Sequence, residues 1–194
     1  MYYHITLVTP TFPGSKTNLK ILISIPNFLS FSRVPLALII FWAIVNGLWE
    51  AAFLLFFFAC LTDIADGYLA RQKNQVTPFG GLLDHTSDAI IATLTLAALS
   101  DHGWVPVYLV YLVPIAFIQY SIDSKVFLGS KLRPSSLGRI NGIAYQAFCG
   151  FILIQLASDT FILEKKIVYI SGCFLSGTTI LSMIQRIFLV LSRK

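Results

Sequence analysis

Long apolar runs separated by short polar segments dominate the chain, and the runs are continuous, with no residue-by-residue alternation. Continuous runs argue for helices and against a membrane-type barrel, whose strands alternate apolar and polar positions. Six runs are long enough, or nearly so, to cross about 30 Å of hydrocarbon as helices. They lie near 28–48, 50–70, 82–100, 104–122, 138–157 and 167–190. The expected fold is an all-α polytopic membrane protein with six transmembrane helices. From Lys20 to Ser30 the chain turns apolar, with Pro26-Asn27 as a break. This predicts a possible short interfacial helix leading into the first span. Residues 1–19 read as a poorly ordered tail. The stretch 1–17 has a lone Lys16, two prolines and several threonines, and lacks the basic-then-apolar order of a secretory signal. Residues 20–194 are expected to form one membrane domain.

Composition agrees with the pattern. Of 194 residues, 56% are hydrophobic and only 12% charged, about half the charged share of an ordinary soluble domain. Too few charges remain to cover a water-soluble globule. The three cysteines, Cys60, Cys149 and Cys173, fall inside predicted spans at spacings that fit no metal site. They read as small packing residues.

The charges that remain are placed unevenly. If both termini are cytoplasmic, Lys16, Lys20, Arg33, Arg71, Lys73, Lys125, Lys131, Arg133, Arg139, Arg186, Arg193 and Lys194 lie at the inner face. Lys165 and Lys166 alone lie outside. Twelve of the fourteen basic residues on one side is the positive-inside pattern. The net charge of +5 is then a one-sided basic surface suited to anionic membrane lipids and phosphate-bearing substrates. Nucleic acid is not an expected partner, because these residues are spread over membrane-proximal loops.

Four of the nine acidic residues occupy residues 61–88, LTDIADGYLARQKNQVTPFGGLLDHTSD. Asp63 and Asp66 are three apart near the inner end of the second span. Asp84 and Asp88 are four apart just inside the third. Helical geometry puts each pair on one face. The intervening Thr77-Pro78 and Gly80-Gly81 read as a turn, making the two spans antiparallel neighbours with both pairs at one depth. Four carboxylates so close cannot all ionise unaided, because like charges and a low dielectric both penalise the charged form. Neutral acids, a basic partner or bound cations could each resolve this. Arg71 is one charge and cannot balance four. Oxygen-only ligands favour Mg²⁺ or Mn²⁺, and one or two such ions suit displacement at phosphorus. Acids within a membrane mark function by default. A cation transporter would place them nearer mid-membrane. Here they sit within about two helical turns of the basic face, which favours a site open to the cytosol.

These residues carry a resemblance. The chain matches the signature D-x2-D-G-x2-A-R-x8-G-x3-D-x3-D of the class I CDP-alcohol phosphotransferases, with Asp63, Asp66, Gly67, Ala70, Arg71, Gly80, Asp84 and Asp88 in register. At roughly one in twenty per position, eight matches arise by chance on the order of 10⁻¹⁰ per start point. The resemblance implies that metal at the four aspartates neutralises the diphosphate of a CDP-lipid. It implies that Asp88 takes the proton of the acceptor hydroxyl, whose oxygen attacks the β-phosphorus as CMP leaves. Gly67 and Ala70 leave room for a nucleotide against the second helix, Arg71 can pair with the diphosphate through its planar fork, and Gly80 permits close approach. A homodimer is expected by resemblance only.

The acceptor is read from weaker strings. IPNFLSFSR (25–33), NQVTPFGGLLD (74–84) and LRPSSLGRINGIAYQ (132–146) look like phosphatidylglycerophosphate synthases and cardiolipin synthases. Many of those carry Lys where this chain has Arg139 and Thr where it has Gly142. They often have an Arg–acid pair in the fourth span, whereas no basic residue flanks Gln119-Tyr120 here. Lys125, Lys131, Arg133 and Arg139 could still form an anion pocket. Asp84-His85 looks instead like the Asp-His of choline and ethanolamine phosphotransferases, where the histidine helps deprotonate diacylglycerol. The expected acceptor is glycerol-3-phosphate or phosphatidylglycerol, with His85, Arg133 and Arg139 as acceptor-side residues. A choline/ethanolamine-type or inositol-phosphate-type acceptor is the alternative. His102 and His4 read as incidental.

Overall fold

The computed structural model describes residues 25–72, 78–123, 135–160 and 162–191. Among them every regular element is a helix: α1 (Ile25–Val45), α2 (Trp49–Gln72), α3 (Pro78–Asp101), α4 (Val107–Asp123), α5 (Ser136–Ala157) and α6 (Lys165–Leu191). Four are long and apolar enough to cross a bilayer, within α1, α3, α5 and α6, and α4 is a shorter apolar helix. The outer surface is apolar, with Phe28, Trp42, Leu54, Tyr111, Phe174 and Phe188 all more than half exposed. A surface of this kind faces lipid, and the chain is a polytopic helical membrane protein.

The helix ends follow local chemistry. The first span stops at Val45, short of the expected 48, because Gly47 takes the left-handed conformation (φ +69°). Its N–H bonds Ile44 O and that of Leu48 bonds Ala43 O, the two bonds of a Schellman cap. Gly103 repeats the arrangement after α3, with Gly103 N–H to Ser100 O and Trp104 N–H to Leu99 O. The fourth span therefore starts after Pro106, at Val107, and not at 104. Two expected breaks lie inside helices. Pro26-Asn27 sits in the first turn of α1, where a proline costs no hydrogen bond. Pro78 likewise opens α3, so Gly80 and Gly81 are helical. Residues 25–30 thus belong to the first long helix and not to a separate interfacial one. The tail 1–19 and residues 20–24 lie outside the described residues.

The packing order differs from the expectation that α2 and α3 run side by side. α1 packs against both, and the main contacts of α2 and α3 run through it. Small side chains make this possible. Ala37 and Ala43 of α1, Ala52 and Ala59 of α2, and Ala92 and Ala98 of α3 are at most 2% exposed. Without water to drive burial, helices in lipid hold together by such close approach. Ile40, Ile44, Phe56, Ile91, Leu96 and Leu99 fill the remaining space. α4 joins α3 and α6, and α5 joins α2 and α6.

Candidate active site

Arg33 is the centre of the carboxylate cluster, and its side chain is fully buried. One terminal nitrogen, Nη1, donates to Asp63 Oδ1 at 2.5 Å and to Asp88 Oδ1 at 2.6 Å. The other, Nη2, donates to Asp84 Oδ1 at 2.5 Å and to Ser30 Oγ at 3.2 Å. Each helix contributes by position. Arg33 lies two turns into α1, Asp63 near the far end of α2, and Asp84 and Asp88 in the first turns of α3. The three carboxylates keep 30–40% of their side-chain surface exposed. They are covered on the α1 side and open on the other. Asp66, Ala70 and Arg71 lie on α2, but their side chains are outside the described residues, and Gly67 and Gly80 lie on α2 and α3. The basic partner left open by the sequence is therefore an arginine of the first helix.

The open side of the cluster faces a partly open cavity of about 1070 Å³ lined by α2 to α6. Asp63, Asp88, His85, Arg139, Tyr120 and Arg186 line its polar end. Phe53, Phe56, Phe57, Phe151 and Ile154 line its apolar body. His85 is half-exposed, with Nδ1 3.8 Å from Asp84 Oδ2. Asp84, His85 and Asp88 bring one ligand atom each to within 4.8 Å of one another, a grouping able to hold a metal ion. Arg133 lies outside the described residues, as do Lys73, Lys125 and Lys131.

The fourth helix is not without a cation. Arg186, from α6, stacks its guanidinium 4.6 Å from the Tyr120 ring centre. Its Nε donates to Asp123 Oδ2 at 3.3 Å and its Nη2 to Tyr120 O at 3.2 Å. Arg186 lies 66 positions from Tyr120, so the residues flanking Gln119-Tyr120 give no sign of it. Two buried polar atoms on the cavity wall, Asn141 Nδ2 and Gln146 Oε1, have no hydrogen-bond partner among the described residues. Buried orphans of this kind are uncommon and point to a polar ligand or water.

The donor set fits a hard divalent cation. It is built of carboxylate oxygens, reached from a cavity, with a histidine nitrogen beside them. The fold and this centre define a class, the helical membrane proteins whose acidic site opens on a lipid-sized apolar cavity. Residues 23–188 match the family model for CDP-alcohol phosphatidyltransferase, and the chain belongs to that family. Among curated relatives it is similar to a CDP-diacylglycerol–glycerol-3-phosphate 3-phosphatidyltransferase of Pseudomonas fluorescens. The two are 39% identical over 84 residues, 41% of this chain and 43% of the relative. It is 26% identical over 177 residues to the human cardiolipin synthase (CMP-forming), covering 80% of this chain and 58% of that one. The Escherichia coli K12 glycerol-3-phosphate enzyme is 35% identical over 82 residues, 41% of this chain and 45% of the relative. The likeness thus reaches less than two thirds of each relative's own length.

Proposed function

We propose that the chain transfers a phosphatidyl group from a CDP-linked lipid such as CDP-diacylglycerol to an alcohol, glycerol-3-phosphate or phosphatidylglycerol, with release of CMP. The observation that carries this is the union of a carboxylate cluster and an apolar cavity in one space. On α2 the cavity lining runs from Asp63 back to Phe53, ten residues or about 15 Å along the helix. That length accommodates an acyl chain whose headgroup lies at the aspartates. The family and the activities named for the relatives support the same reading.

Asp63, Asp66, Asp84 and Asp88 would hold Mg²⁺ or Mn²⁺. When bound, such an ion supplies neutralisation of the diphosphate charge. Asp88 takes the proton from the acceptor hydroxyl. The freed oxygen forms its bond to the β-phosphorus, the bond from that phosphorus to the oxygen bridging it to CMP breaks, and CMP carries away the electron pair. Gly67, Ala70, Arg71 and Gly80 form the CDP side. His85, Arg133 and Arg139 form the acceptor side. Residues 20–194 act as one domain behind the tail 1–19, with both termini and the site on the cytoplasmic side, and the family resemblance favours a homodimer.

Purified protein supplied with CDP-diacylglycerol, Mg²⁺ or Mn²⁺ and a panel of acceptors should yield phosphatidylglycerophosphate or cardiolipin. Product formed only from diacylglycerol with CDP-choline or CDP-ethanolamine as the donor would replace this reading with the choline/ethanolamine type, which His85 beside Asp84 on the cavity wall favours as the second reading. Single cysteines beside Lys73 and beside Lys165 should label from opposite faces of the membrane. Labelling of both from one face would remove the proposed orientation.

A further inference from the structure

Arg33 bonds the carboxylates but does not itself line the cavity. Its side chain is fully buried, whereas Asp63, Asp84 and Asp88 are each about a third exposed. Asp63 and Asp88 line the cavity. A substrate or cation arriving through the cavity therefore meets the carboxylates, with the guanidinium behind them. α2 and α3, which carry the carboxylates, pack chiefly through α1 and not on each other. Packing of both helices on α1 brings Asp63 near Asp84 and Asp88, and the Arg33 guanidinium joins them through the Oδ1 atoms of all three. Each carboxylate has a second oxygen, so engaging one with an N–H does not bar the group from a metal.

We propose that Arg33 is a positioning residue serving as the resident counter-charge of the site: it keeps the carboxylates assembled whether or not a divalent cation is bound, and so sets how tightly that cation is held. The inference rests on the metal-site reading above. The physical reasoning is electrostatic. Three carboxylates in a membrane-embedded setting repel one another and are costly to leave uncompensated. A fixed guanidinium relieves that repulsion. The same charge, a few ångströms from the cation site, repels an incoming divalent ion and weakens its binding. Partners behind the ligands of a metal site tune it in this way without touching substrate. A bound cation then exchanges readily, and the folded site does not depend on it.

The test separates charge from packing. Wild type, Arg33→Gln and Arg33→Lys are purified in lipid nanodiscs. Mn²⁺ affinity is read from the free-ion paramagnetic resonance signal, and thermal unfolding is followed with chelator and with Mn²⁺. Arg33→Gln should bind Mn²⁺ at least tenfold more tightly than wild type. It should lose stability in chelator and regain most of it in Mn²⁺, so that its unfolding temperature becomes metal-dependent. Arg33→Lys, which keeps the charge but not the fork, should shift Mn²⁺ affinity less than Arg33→Gln does. If Arg33→Gln binds Mn²⁺ like wild type and loses equal stability in both buffers, Arg33 merely packs α1 and the proposal is overturned. Should Arg33→Gln fail to fold in either buffer, Arg33→Lys decides. Near-wild-type affinity supports the counter-charge role, and lost Mn²⁺ binding overturns it. A wild type that binds no Mn²⁺ would sink the metal site itself, an outcome distinct from failure of Arg33's role.

Discussion

The two ends of the bundle solve the problem of polar groups in a membrane protein in opposite ways. At the end where α1 meets α2 and α3 meets α4, the polar groups satisfy one another. His102 Nε2 bonds Ile44 O at 3.0 Å, and its ring meets Trp49 edge-on at 4.9 Å. Lys165 Nζ donates to His102 O at 2.7 Å and lies over the Trp104 ring. Gln155, fully buried, clamps the turn before α6 by bonding both N and O of Leu163. At the other end charge is concentrated. Among the described residues three carboxylates bond one guanidinium, Arg139 and Arg186 line a cavity, and Asn141 Nδ2 and Gln146 Oε1 have no hydrogen-bond partner. A closed end made of satisfied contacts stabilises. An end with concentrated charge and open space is poised to receive a ligand.

Substitutions should therefore sort by end. The largest effect is expected at the carboxylates. Asp88→Asn should reduce CMP release by about 10²–10⁴-fold, the usual contribution of a general base. Chelator should abolish release in wild type and Mg²⁺ or Mn²⁺ restore it. Full activity in chelator after thorough washing would break the contrast at its strongest point. Next comes the acceptor side. Arg139→Ala should raise the acceptor KM by about one to two decades, equivalent to roughly 1.5–3 kcal/mol for a charge-assisted contact, with the CDP-lipid KM little changed. His85→Ala should cost less than Arg139→Ala with a phosphate-bearing acceptor, since the histidine does not meet the acceptor's charge. A silent Arg139→Ala beside a dead His85→Ala would move the acceptor reading to diacylglycerol.

The closed end should show the reverse profile. A Cβ on Gly172 would stand 2.6 Å from Pro106 Cδ. Gly172→Ala should therefore destabilise the fold by about 1–3 kcal/mol, seen as a lower unfolding temperature, with both KM values unchanged. Lys165→Met should be the mildest, about 1 kcal/mol or less, since it removes one hydrogen bond and one exposed cation–aromatic contact. A KM shift in either variant would show that the two ends are coupled.

Much of this was legible in the chain. Six apolar runs became six helices with ends moved by a few residues, and the movements trace to Gly47, Gly103 and Pro78. The four-residue spacing of Asp84 and Asp88 put both on one face of α3, where both bond Arg33, because helical periodicity fixes which residues of one helix share a face. What periodicity does not fix is which helix lies between two others. The insertion of α1 between α2 and α3 depends on alanines that look unremarkable in sequence. For the same reason the sequence places Arg33 among the inner-face charges and does not reveal it as the partner of the acids. A signal was available, since a lone arginine inside an apolar run demands a partner. Arg186 was hidden differently, by distance along the chain from Tyr120 and Asp123.

The placement of Arg33 also bears on how the chain is made. The arginine is synthesised 30 residues before Asp63 and 55 before Asp88. During that interval the first helix carries a cation whose final partners do not yet exist. An unpaired arginine is held at the lipid–water boundary by its long stem and resists settling deeper. The first three helices are thus expected to mature together, with the arrival of the third releasing the first into its final seat, and a ribosome stalled after the second would leave an unfinished hairpin exposed to quality control.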